Sequence, residues 1–75
     1  MKVIKVNAYN PVVKHNVELT YYIDYCKALD DYVVSSESDL HIHVIGRYAS
    51  EVEATLAIVK HVNVRGFENA EFEVK

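Results

Sequence analysis

The stretch from Ser50 to Gly66 is bounded at both ends by residues that start and stop a helix, and it anchors the reading of everything around it. Ser50-x-x-Glu53 is a capping box, in which a hydroxyl and a carboxylate satisfy each other's free backbone N–H groups. Val52, Leu56, Val59 and Val62 recur at helical spacing as an apolar stripe, with Glu53, Lys60 and His61 lying away from it. Arg65 suits the negative end of the helix dipole, and Gly66 supplies a left-handed stop. On both sides the apolar period falls to two. Leu40, Ile42, Val44 and Gly46 alternate with His41, His43, Ile45 and Arg47, which predicts a strand with the first set inward. From about Phe67 a closing strand turns Ala70, Phe72 and Val74 inward and Glu71 and Glu73 outward.

The first half opens on another alternating segment, residues 2–9, with Ile4, Val6 and Ala8 on one face and Val3, Lys5 and Asn7 on the other. Asn10-Pro11 breaks it. The next stretch carries two patterns at once. Val17, Leu19, Tyr21, Ile23 and Tyr25 alternate strictly and have strand-like side chains. Leu19, Tyr22, Cys26, Leu29 and Val33 fit a helical spacing, Lys27-Ala28-Leu29 are good helix formers, and Asn16 is a good cap. A helix over 17–31 is expected, with a strand over 17–25 as the alternative. Tyr32–Ser35 then reads as a short strand and Ser36-Glu37-Ser38-Asp39 as a turn. The resulting β-α-β-β-α-β order predicts an α+β fold, a ferredoxin-like two-layer sandwich with both helices on one face of an antiparallel sheet. The alternative gives a curled antiparallel sheet with one helix packed on it.

At 75 residues the chain has room for one domain, 1–75. With 51% hydrophobic and 25% charged residues it is globular rather than disordered. One Cys cannot form an internal disulfide, which points to a reducing, cytoplasmic setting. No apolar run reaches the roughly 18 residues of a membrane span, and an N-terminus that alternates Lys with Val and Ile is unlike a secretory leader. The net charge of −3 is unevenly spread: residues 1–15 carry +3 and residues 18–53 carry −6. Without a basic stripe, nucleic acid is not an expected partner. Gly46 and Gly66 stand alone, so no phosphate-cradling loop is present, and no cofactor is expected.

His41 and His43 are the pair most suited to a metal, because residues i and i+2 of a strand point the same way. Asp39-Leu40-His41-Ile42-His43, followed by Arg47-Tyr48-Ala49-Ser50, resembles the opening metal motif of PHP-type phosphoesterases over about a dozen residues. That family draws its remaining ligands from a far larger barrel. In the sandwich, Glu71 and Glu73 would lie two strand spacings away, about 9–10 Å, too far to join the histidines on one ion. Two imidazoles leave a zinc site underfilled unless a second subunit contributes. Cys26 has no neighbouring base to activate it and reads as a small hydrophobe. The expectation is a protein that is not an enzyme.

Tyrosine is the surplus residue: six of the eight aromatics are Tyr, and Tyr21, Tyr22, Tyr25 and Tyr32 fall in one stretch. Tyr buries much area with few rotors and keeps a polar tip, which suits protein interfaces. Tyr21, Tyr22 and Tyr25, with Asp24 among them, are therefore the candidate contact residues for another protein. A domain this small has a thin stability margin. An open sheet face bearing Val3, Ile45, His41 and His43 would also favour a homodimer. The alternative functions are a metal-binding domain using the His41-x-His43 pair or a dimeric small-ligand regulatory domain.

The segment Arg47-Tyr48-Ala49-Ser50-Glu51-Val52-Glu53-Ala54-Thr55-Leu56, closing on Glu71-Phe72-Glu73-Val74, resembles small single-domain proteins of bacteriophages. It is similar to the end of the T-even phage antitoxin family, with a Ser inserted in the Tyr-Ala-Glu-Val opening of the helix. The resemblance covers about a third of the chain. It implies a non-enzymatic protein that takes over or disarms the host by binding and inhibiting a host enzyme, toxin or defence factor.

Overall fold

The computed structural model describes residues 1–38 and 40–75. It is an α+β domain: strands β1 (Lys2–Asn10), β2 (His15–Cys26), β3 (Asp31–Ser38) and β4 (His41–Tyr48), helix α1 (Glu51–Val64) and strand β5 (Glu68–Val74). The strands form one antiparallel sheet in the order β4-β3-β2-β1-β5. Helix α1 packs on one side of it, across β2, β3 and β4, and is the one helix among the described residues. The expected β-α-β-β-α-β order is corrected to the curled-sheet alternative, because residues 17–31 form no helix.

Strict alternation wins in β2 because both of its neighbours reward it. Tyr21 pairs with Ile4 and Leu19 with Val6 on one flank, and Ile23 pairs with Val34 on the other. Tyr21, Ile23, Ile4, Val6 and Val34 are all buried as one core. The helix formers Lys27, Ala28 and Leu29 lie instead in the four-residue connection to β3, with Asp30 at φ 50°. The preceding hairpin turns at Asn10-Pro11 as expected. The Asn10 side-chain oxygen accepts from Val12 N–H at 3.0 Å, and Lys14 takes the left-handed conformation. β3 runs on to Ser38, so Ser36–Ser38 pair with His43–His41 rather than turning; the last residue of the expected turn, Asp39, lies outside the described residues.

Two faces are reversed relative to expectation. In β4 a bulge inserts Ile45 between the Val34–Gly46 and Ser35–Val44 pairs. The extra residue flips the alternation, so Ile42 and Val44 point to the helix-free side and Ile45 packs against the core. In α1 the buried positions are Ala54, Ile58 and Val62. Of the expected stripe Val62 is buried and Val59 half-buried, while Val52 and Leu56 are exposed, and His61, expected to lie away from the core, is part-buried. Ala54, Ala57, Ile58, His61 and Val62 follow the i, i+3, i+4, i+7, i+8 template, and the small Ala54 lets the helix close on the sheet. At the N-terminus Ser50 Oγ accepts from Glu53 N–H at 3.2 Å, and Glu51 pairs with Lys2. At the other end Gly66, at φ 84°, donates to Asn63 O.

Candidate functional site

With the row Ala54–Ile58–Val62 turned inward, the second apolar row of α1 faces outward. Val52 is 69% exposed, Leu56 62%, and Val64, at the C-terminal end, is exposed too. Beside this ridge runs an open cleft of about 720 Å³ between α1 and β4. Ile45 and Tyr48 line its strand wall, and Leu56, Lys60, His61 and Val64 its helix wall. Tyr48 lies over Gly46, where an added Cβ would come within 2.9 Å of the Tyr48 hydroxyl; glycine is what allows the ring to lie there. Glu53 gives the cleft one carboxylate, facing the two cationic side chains of Arg47 and Lys60.

His61 ties the cleft to the core. The Tyr21 hydroxyl and His61 Nδ1 are 2.8 Å apart, with the two rings edge to face at 5.6 Å. In the neutral tautomer protonated at Nε2, the phenol donates and Nδ1 accepts. Burial, and then the Arg65 charge, hold His61 below its ordinary value of 6.5. Burial raises Tyr21 above 10.0 against the opposing pull of Arg65. Arg65 also stacks on Phe67, its guanidinium 5.0 Å from the ring centroid.

The helix-free face of the sheet is laced by polar pairs between adjacent strands. Arg47 grips Asp31 with two bonds, Nε to Oδ2 at 2.8 Å and a terminal N–H to Oδ1 at 2.9 Å. Tyr22 donates to Glu37 at 2.8 Å, and that bond raises the phenol's pKa. Lys5 reaches Thr20 at 3.0 Å.

The expected contact residues are split by strand geometry. Tyr21 and Tyr25 point to the helix side, while Tyr22 and Asp24 point to the other, so the four make no single patch. Tyr21 is 1% exposed and belongs to the core, where it cannot touch another protein without unfolding. Tyr25 is 53% exposed, donates to Asp30 at 2.6 Å and lies against Tyr32. His41 and His43 share one side of β4 with ring centroids 6.2 Å apart. That side is the helix side, not the open face, because their partners Ser38 and Ser36 share the side of Tyr21. Glu71 and Glu73 stand at the opposite edge, four strand spacings away, about 19 Å. Among the described residues, no three His, Cys, Asp or Glu side chains gather as a metal cage.

The exposed ridge was readable in one signal. Val52, Ala54, Leu56, Ala57, Ile58, Val59, Val62 and Val64 spread around more of α1 than one stripe can bury. No protein family, curated protein or solved structure matches the chain.

Proposed function

We propose that the chain is a small protein-binding module that works by occupying a surface of another protein, with the Val52–Leu56 ridge and the adjoining cleft as its contact. The observation that carries this reading is a well-capped helix whose large aliphatic side chains face water beside a groove holding both charge signs. Neighbouring bare aliphatic side chains at the rim of a groove form a surface that a partner can cover. The likeness of Arg47–Leu56 and Glu71–Val74 to the small phage antitoxins supports the narrower form of the proposal. In that form the module is a phage-encoded, non-catalytic inhibitor of a host enzyme, toxin or defence factor, acting in the cytoplasm.

The test is a tagged capture from host lysate with the wild-type chain and with Leu56→Asp side by side. Leu56 is exposed, so its replacement leaves the melting temperature nearly unchanged. The expected result is one stoichiometric companion on the wild-type bait that Leu56→Asp loses. A companion held equally by both baits, or none on either, defeats the assignment of this ridge.

A further inference from the structure

β4 is an edge strand whose outer side has no neighbour in the sheet among the described residues. From His41 to Val44 it carries no Lys or Pro, the residues that usually guard an edge, and its bulge lies beyond, at Ile45. This short segment has two unlike faces. His41 and His43 project on one side, both exposed. Ile42 and Val44 project on the other, 63% and 69% exposed. Each face is half of something. Two imidazoles fill two of the four positions zinc takes in a closed site, and two bare aliphatic residues lack a cover.

A twofold axis through Ile42 completes both faces at once. Antiparallel pairing of β4 with β4 of a second copy, in the register that opposes the two Ile42 residues, sets His41 of each copy against His43 of the other. In the same register Leu40, which is also exposed, falls opposite Val44 on the far side. Opposed Cβ atoms in such a pair are about 4.5–5.5 Å apart, and i, i+2 neighbours about 6.8 Å. Four imidazoles thus rise from the corners of a small rectangle. Zinc–nitrogen bonds of about 2.0–2.1 Å set the centroids of two imidazoles on a tetrahedral ion about 5 Å apart. The observed 6.2 Å closes to that by modest side-chain rotation. Ser38 and Ser36 on β3 are the direct cross-strand partners of His41 and His43, where their hydroxyls can receive the second ring N–H and orient the ligands.

We propose that two copies of the chain pair along β4 and hold one zinc ion between the four imidazoles of His41 and His43. The site is incomplete in one copy, and the paired sheet runs to ten strands. It leaves the Val52–Leu56 ridge uncovered, so it stands apart from the partner contact proposed above.

The experiment uses the full chain stripped with a chelator and titrated with zinc chloride, following heat and molar mass together. The expected result is saturation at half an equivalent of zinc per chain with a doubling of mass from 8.6 kDa. Cobalt in place of zinc gives the intense visible bands of a tetrahedral nitrogen site. His41→Ala and His43→Ala each lose the half-equivalent and the doubling. Ile42→Lys, folded by circular dichroism, loses them too. Uptake of one zinc per chain at unchanged mass overturns the proposal. So does uptake no greater than that of the His41→Ala/His43→Ala double variant, or a dimer that the chelator does not dissociate.

Discussion

Tyr21 shows how one residue is both the most legible and the most misleading feature of the sequence. Its place in an alternating run announces a strand, while its identity suggests an interface. Burial decides against the interface, and the hydroxyl then needs a partner, which His61 supplies from α1 forty residues on. That pairing could not be read from spacing, because nothing local links position 21 to position 61. It has a pH signature. His61 is held below 6.5 in the fold, so between its folded and unfolded values the unfolded chain binds more protons. Its contribution is whole above about pH 6.5 and is lost as the pH falls through that window. Tyr21, raised above 10.0, contributes below pH 10 and loses that contribution as the pH rises past it. Thermal melts of wild type and His61→Gln between about pH 5 and 7.5 should therefore converge toward the acid side. A gap that stays constant with pH would mean that the imidazole is not kept neutral by burial. Tyr21→Phe, which leaves Nδ1 without its donor, should cost about 1–3 kcal/mol by chemical denaturation.

At the scale of the element, α1 carries two apolar rows, and a sequence reading has to choose which one the sheet receives. The row of larger residues through Val52 and Leu56 looks the better core. The sheet takes the other, because Ala54 and Ala57 allow close approach and His61 meets Tyr21. β4 misleads in the same way: its alternation is real, but a one-residue bulge at Ile45 reverses the face. In β2 the competing helical spacing fails because no second layer waits for that stripe, whereas β1 and β3 both wait for the alternating one. Caps, strand segments and the Asn10-Pro11 break were legible because each is a local matter. Which face is buried is a tertiary matter. The choice in α1 is measurable. Ile58→Ala should cost about 2–4 kcal/mol, since Ile58 is wholly buried, while Leu56→Ala should stay within about 0.5 kcal/mol. A Leu56→Ala loss as large as that of Ile58→Ala would return Leu56 to the core and remove the exposed ridge.

For the whole molecule, five strands and one helix cannot close on themselves. The principal extents of 42 × 25 × 21 Å and a radius of gyration of 12.5 Å, against about 11 Å for a compact chain of this length, describe a long sheet only partly covered. Its stability should therefore fall from the middle outward. β2 is paired on both sides and carries Tyr21 and Ile23 in the core. β5 is paired on one side, leaves Phe72 and Val74 partly in water, and is fastened beyond its end by the Lys75 N–H to Val3 O bond at 2.8 Å. Hydrogen exchange followed by NMR on the metal-free chain should rank the amides accordingly. Those of β1, β2 and β3 should open only with global unfolding, about 3–5 kcal/mol for a domain of this size, or roughly two to three and a half decades of protection. Outward amides of β4 and β5 should exchange with almost none. Deep protection along β5 would show that its free edge is covered by another chain even in the purified protein, and the sheet would then have to be redrawn as part of a larger one.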